Sequence, residues 1–305
     1  MIYRFGIFSA SIALFVLVLS AMHSSRAYAE EELISPNIKP RFMFLIEPKD
    51  APLDSPFGIF FDKVHNELYV ADSGSSRILI FDSEGTQLFS FGKKHGIAMP
   101  IDLVVKDDKL YVSQEGKSYV EVFSYLGVSL KRMTPGAEAF NPGLMDLDRE
   151  GNIYVANKAN GKCVIFDKDD KYVKTIGDDA SSMGGVSKGV SSLFIMNPIS
   201  GFFGRHSINE YDMDGKLLRS FEGIQDKAGT LGLPSTLKED PEGNLWVVDS
   251  LRGIVIFDKK SKKIASFGRT GPKREILFFP TDIDFNPNGM IYILDKEAKR
   301  VAVFR

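Results

Sequence analysis

Cysteine is almost absent from this chain of 305 residues. Cys163 stands alone, so no internal disulfide can form and the fold must be held by packing. The same scarcity excludes a Cys-x-x-Cys-His haem attachment and leaves no cysteine near the N-terminus to carry a lipid. Histidine is scarce too. His23, His65, His95 and His206 are the four, and none sits at the His-x-x-x-His or His-x-His spacing of zinc sites. No long run of one charge sign occurs. The net charge is −2 and the pI about 6.1, without the basic stripe of a nucleic-acid binder. No Gly-x-Ser-x-Gly elbow or phosphate loop is present, and "GGVSKG" at 184–189 lacks the required spacing. What remains is 44% hydrophobic and 26% charged, the composition of a globular protein with enough chain for a large core.

The first 29 residues read as a secretory signal peptide. Arg4 supplies the positive start, Ile7 to Met22 the apolar run, and Ala27-Tyr28-Ala29 the small residues at −3 and −1. The run of 16 residues is short of the roughly 20 that span a bilayer comfortably. The expectation is export to the periplasm or beyond, cleavage after Ala29, a linker at 30–40, a folded region at 41–305, and no stable membrane span. Loss of Arg4 and Arg26 then takes the net charge from −2 to −4.

The chain repeats itself. "LYVADSGSSRILIFD" (68–82) returns as "LWVVDSLRGIVIFD" (245–258) and "IYILDKEAKRVAVF" (291–304). The aromatics that close each phrase are Phe81, Phe123, Phe166, Tyr211, Phe257 and Phe304, at intervals of 42, 43, 45, 46 and 47. Each has an aromatic upstream: Tyr69, Tyr111, Tyr154, Phe194, Trp246 and Tyr292. Within a unit, short alternating or β-branched runs are separated by Gly, Ser, Asn and charge, the pattern of strands joined by hairpins. Four strands per unit of this length is the size of a propeller blade. The sixth unit stops after its third strand, and "RFMFLIEP" (41–48) aligns with the missing fourth. The spacing therefore predicts an all-β, six-bladed propeller of four-stranded blades, its ring closed by a strand near 41–47 that completes the last blade.

The stretch "PFGIFFDKVHNELYVADSGSSRILIFDSEGTQLFSFG" (56–92) resembles the NHL repeat. "LDREGNIYVANKANGKCVIFD" (147–167) and "FFPTDIDFNPNGMIYILDKEAKRVAVF" (278–304) are similar to it. The likeness covers about 41–305 and implies a six-bladed propeller. It implies no single activity, because such propellers serve as protein-binding, RNA-binding and enzymatic scaffolds.

Several positions are candidates for chemistry. Asp72, Asp249 and Asp295, with Asn157 and Asn197 in register, end the second strand of their units. Asp and Asn there form turns through nearby N–H groups, and a role repeated in nearly every blade is architectural. Arg77 and Arg300 are expected to pair with such carboxylates. "DLDREGN" (146–152) and "DMDG" (212–215) superficially spell calcium loops, but Asn157 stands where Glu is required at position 12, so hairpin turns are expected. Cys163 replaces an isoleucine of the first unit and belongs in the core. Aligning units on the leading proline places Gly58, Asp102, Leu144, Thr236 and Asp282 in one register facing the central channel. Six-bladed calcium-dependent lactonases hold a metal at such a spot, yet two aspartates are few for the 6–8 oxygens that calcium wants.

The fourth unit breaks the pattern. Its aromatics stand 17 apart instead of 12, and the insertion carries Phe202, Phe203, Arg205 and His206. Linkers also lengthen at 178–189 and 222–233. In propellers such links lie on the face around the channel mouth. Loops on a rigid scaffold carry binding function, and aromatics and Arg dominate interface hot spots. The expectation is an exported scaffold without chemistry or cofactor of its own. It binds a protein, peptide or glycan through that face, with these four residues in contact. The alternative is a metal-dependent hydrolase or lactonase with its site at the channel mouth around Asp102 and Asp282, using calcium.

Overall fold

The inner strand of each unit meets the second strand of the same unit, and the pattern repeats around a ring. A computed structural model describes residues 38, 40–178, 184–197, 207–222, 231–269 and 272–305. The chain divides into two units, 1–33 and 34–305, and the described residues belong to the second. The expected signal peptide at 1–29 lies outside them, as does the 30–40 linker apart from Ile38 and Pro40. Among the described residues no helix is long and apolar enough to cross a membrane.

Six sheets of four antiparallel strands form the blades. Their inner strands are Pro56–Asp62, Pro100–Lys106, Pro142–Leu147, Val186–Lys188, Pro234–Glu239 and Pro280–Phe285, in blades 1 to 6. The second and third strands of blade 1, Glu67–Asp72 and Arg77–Asp82, are almost wholly buried, whereas its outer strand Gln87–Gly92 is largely exposed. That gradient explains the sequence. Middle strands are covered on both faces by neighbouring blades and read as continuous apolar runs, while outer strands meet water.

The core sits in the seams between blades rather than within any one sheet. One cluster joins blades 1, 2 and 3, and four others occupy the remaining seams. Phe61 of blade 1 stacks on Tyr292 of blade 6 with centroids 5.1 Å apart. Trp246 of blade 5 meets Phe285 of blade 6 edge-on at 5.2 Å. The six phrase-closing aromatics are all buried, as is Cys163. Burial pushes the Cys163 thiol far above its ordinary range, which makes it inert.

The ring closes as the spacing predicts. Phe42–Ile46 pairs antiparallel with Arg300–Phe304, from Phe42 opposite Phe304 to Ile46 opposite Val301. Arg41 and Arg305 exchange backbone hydrogen bonds at 2.7 and 2.9 Å beyond it. Ile46, 1% exposed, inserts into the seam between blades 6 and 1. Truncating it removes buried methyl groups at the one place where the ring is held by pairing rather than by continuous chain. Ile46→Ala is expected to cost about 3 kcal/mol in denaturant unfolding, against less than about 0.5 kcal/mol for the surface change Lys63→Ala.

Candidate active site at the channel mouth

The repeated aspartates are architecture, and the structure shows what they hold. Asp72 accepts the Asp54 N–H at 2.7 Å, Asp249 the Leu233 N–H at 3.0 Å, and Asp295 the Phe279 N–H at 2.8 Å. Asn157 accepts the Asn141 N–H at 3.0 Å. Each ties the end of a second strand to the segment entering the inner strand of its blade. Gln114 does the same in blade 2, accepting the Ala98 N–H at 2.7 Å, where the sequence offers no Asp to flag it. Arg77 binds Asp72 at 2.7 Å and Arg300 approaches Asp295 at 3.6 Å. The side-chain oxygen of Asn197 has no partner among the described residues.

The channel is lined by alternate residues of the inner strands. One layer holds Gly58, Asp102, Leu144, Thr236 and Asp282, as the proline register predicts. Blade 4 lacks the proline, and its inner strand lies within "GGVSKG". Val186 pairs with Ile195 as Ile59 pairs with Val70, which puts Gly185 in this layer. Two residues further on, a second layer holds Phe60, Val104, Asp146, Ser187, Lys238 and Asp284.

These side chains reach across the seams. Asp282 accepts the Ile59 N–H of blade 1 at 2.8 Å, and Asp284 the Phe61 N–H at 2.8 Å. Asp102 accepts the Met145 N–H of blade 3 at 2.7 Å. Asp146 accepts the Lys188 N–H of blade 4 at 2.8 Å, and Ser187 the Glu239 N–H of blade 5 at 3.2 Å. An inner strand is a sheet edge, and its unpaired donors must find acceptors. Here the neighbouring blade supplies them.

This arrangement gathers four carboxylates in a space with little water. Lys238 answers two of them, with its ammonium 3.0 Å from Asp284 and 3.3 Å from Asp146. Burial opposes its charge, but Asp146 and Asp284 outweigh that and hold its pKa above the usual lysine range. Asp102 and Asp282 are less well compensated. Burial first, and then the Asp282 charge, raise Asp102 well above the carboxylate range. Burial also pushes Asp282 up from 3.8 to about 7. Oδ1 of Asp102 has no hydrogen-bond partner among the described residues. It occupies the space above Gly58, where any Cβ would come within 2.3 Å of it.

Above the first layer the channel opens into a cavity of about 390 Å³ on the face of the second-to-third strand links. Leu144 and Ile101 line its depth, with Phe57, Met99, Ser235 and Lys158 among its walls. Ser55 and Met99 precede the prolines of blades 1 and 2 and hold left-handed backbone, at φ 49° and 47°. Non-glycine residues there are strained, and such strain gathers at functional sites.

Among the described residues the donor set does not fit calcium. Among the described residues no group of three or more His, Cys, Asp or Glu is placed to hold a metal. Asp146 and Asp284 already have the Lys238 ammonium as counter-ion. The described histidines are apart. His65 lies between Asp62 and Asp108, and His95 packs on Phe91. Phe202, Phe203, Arg205 and His206 lie outside the described residues.

No protein-family model matches the chain, and no curated protein sequence does. Among solved structures it is similar to a gluconolactonase from Xanthomonas campestris, at 14% identity over 91% of this chain and 98% of that one, with a TM-score of 0.65. It is also similar to a luciferin-regenerating enzyme, at 14% identity over 88% and 95% of the two chains and a TM-score of 0.61. For a virginiamycin B lyase from Staphylococcus aureus the values are 13%, 84% and 82%, and 0.56. At these identities the likeness is one of fold: the chain is a six-bladed propeller of an architecture that these enzymes share.

That finding corrects the expectation of a protein-binding scaffold without chemistry, because these structural relatives are enzymes. The physical reason the sequence misled is specific. The hairpin turn expected in "DLDREGN" is present and is made by Asp148, which accepts the Asn152 N–H at 2.8 Å, but Asp146 in the same phrase belongs to the inner strand and points into the channel. Asp284, Lys238 and Ser187 were missed as well. Stepping two residues along each inner strand from the proline register would have found them.

Two outcomes follow. Lys238→Gln leaves Asp146 and Asp284 facing each other without a cation and should destabilise the fold by about 3 kcal/mol in denaturant titration. Between pH 3.8 and about 7 the folded chain keeps a proton on Asp282 that the unfolded chain has released. Stability therefore falls as pH rises across that window. Asp282→Asn should make the dependence shallower, with Asp102 still contributing in the same direction, measured as melting temperature against pH.

Proposed function

We propose that the chain is a hydrolase that opens a small lactone or ester at the channel mouth, with Asp102 and Asp282 as its acid–base pair. The observation that carries this reading is the pair itself: two buried carboxylates with raised pKa in the channel layer that includes Leu144, which lines the mouth cavity. In this reading the pair shares one proton, so that one carboxyl gives and the other takes in the same turnover.

In this scheme the ester sits in the cavity with its carbonyl towards the pair. The ionised Asp282 takes a proton from water as the oxygen attacks the carbonyl carbon. The protonated Asp102 gives its proton to the alkoxide as the ring C–O bond breaks. Lactone and water become a hydroxy acid, and the proton on Asp282 returns to Asp102 or to solvent. Metal dependence forms no part of the reading, because the donors among the described residues do not make a metal shell. The enzymatic character of proteins sharing the fold supports it in kind.

Two further readings belong here. The grammar of the first, third and last units supports kinship with the NHL repeat, and the pattern of Arg4, Ile7–Met22 and Ala27-Tyr28-Ala29 supports export. The substrate would then be met outside the cytoplasm.

Acid release from a panel of γ- and δ-lactones and aryl esters, followed by pH-stat, tests the proposal. Asp102→Asn keeps the size and an oxygen for the Met145 N–H but cannot supply the proton in the same way. It should lower turnover at least about 100-fold while the melting temperature stays within a few degrees. No ring opening or ester cleavage across the panel would sink the hydrolase reading.

A further inference from the structure

The residue that follows each architectural Asp, Asn or Gln is the variable one. It is Ser73 in blade 1, Glu115 in blade 2, Lys158 in blade 3, Ser250 in blade 5 and Lys296 in blade 6. The turn before it is pinned by the conserved geometry of the repeat. In four of the five blades its own N–H is pinned as well, donating to the residue before the inner-strand proline: Glu115 to Met99, Lys158 to Asn141, Ser250 to Leu233 and Lys296 to Phe279. The side chains are therefore presented around the mouth from a fixed backbone, and four of them, Ser73, Glu115, Lys158 and Lys296, line the cavity.

Most of these side chains already have partners. Ser73 donates to the Pro100 carbonyl and Ser250 to that of Pro280, across the seams to the next blades. Glu115 and Lys158 neutralise one another at 2.9 Å. Lys296 is different. Among the described residues its ammonium has no carboxylate partner. It lies 5.8 Å from the centroid of the Phe57 ring, which is 38% exposed. Among the described residues the cavity thus carries one positive charge without a carboxylate beside it, at its rim and over an aromatic face, while Ile101, Leu144 and Met99 give it apolar walls. An ammonium held on a ring rather than by a carboxylate keeps its hydrogen-bond donors for a ligand.

We propose that the mouth cavity selects a largely apolar substrate bearing one carboxylate, with Lys296 reading the carboxylate and Phe57 packing against the apolar body. The proposal deepens the hydrolase reading by naming its substrate class, and it rests on the mouth being the substrate site. The carboxylate stays at the rim, away from the Asp102–Asp282 pair, and the apolar body lies against Ile101 and Leu144. The reacting ester then points down the channel.

Binding can be read apart from turnover by using unreactive probes. We choose 4-phenylbutyrate and its carboxamide, titrated by ligand-observed NMR and calorimetry into the full-length protein, Lys296→Gln and Phe57→Ala. The wild type is expected to bind the carboxylate about ten-fold more tightly than the amide, the worth of one charge-assisted contact. Lys296→Gln should erase that preference without weakening the amide, and Phe57→Ala should weaken both probes by a similar factor. Equal binding of the two probes, a preference that survives Lys296→Gln, or no binding of either overturns the assignment. A carboxylate preference lost in Lys296→Gln, with no lactone or ester turned over, would sink the hydrolase reading and leave the recognition standing. Turnover of neutral and acidic lactones alike, with KM untouched by Lys296→Gln, would do the reverse.

Discussion

The inner strand of every blade is a sheet edge whose outward N–H groups face a channel where no further strand can pair with them. Much else in the molecule depends on how those donors are met. In this chain a neighbouring blade reaches over with a carboxylate or a hydroxyl: Asp282 and Asp284 from blade 6 to blade 1, Asp102 from blade 2 to blade 3, Asp146 from blade 3 to blade 4, Ser187 from blade 4 to blade 5. Each bond satisfies a buried donor and also fixes one blade against the next. Charged acceptors make shorter and stronger bonds than neutral ones, so the seams are closed at the axis by the strongest local means available.

That solution has an electrostatic consequence. Four carboxylates now share a poorly hydrated space. Lys238 offsets the two of the second layer by lying between blades 3 and 6. The two of the first layer have no ion pair among the described residues and feel Lys238 only as a more distant charge, so burial raises their affinity for protons. Groups that serve the architecture by accepting N–H bonds thereby hold their protons more tightly, Asp282 up to about 7 and Asp102 well above the carboxylate range. Architecture and chemistry are not competing explanations for Asp102 and Asp282, because the burial that makes the staple strong is also what raises the pKa.

The repeat separates two kinds of position. Asp72, Asn157, Asp249 and Asp295 hold a turn in place, and similar residues recur because the geometry does. The next residue along varies from blade to blade: the turn needs no particular side chain there, although Ser73 and Ser250 use theirs to reach the next blade. Ser73, Glu115, Lys158, Ser250 and Lys296 show that variation. A ring assembled from near-copies becomes asymmetric at its mouth in this way: among the described residues Lys296 lies on the Phe57 ring, while Glu115 and Lys158 pair with one another.

The fold was legible in the chain because a blade is a local object. Its four strands lie within about 45 consecutive residues, and alternation, turn residues and the recurring aromatics describe it without any long-range information. Closure by 41–47 was legible too, since a missing fourth strand and a spare one are both visible. The first channel layer could be read from the prolines, which put Asp102 and Asp282 in register. Blade 4 escaped that reading because it has no proline and its inner strand is written "GGVSK", which looks like a loop. The second layer escaped because Asp146 sits in a phrase that resembles a turn, and nothing in the sequence marks Lys238 as the partner of residues 92 positions before it and 46 after it. By itself, then, the sequence determined the blade, its copies and the closing of the ring, all consequences of local periodicity. Only the tertiary structure decided which carboxylates meet and which of them find a cation, because inner strands from all around the ring converge on one axis and electrostatic energy depends on distance in space rather than along the chain.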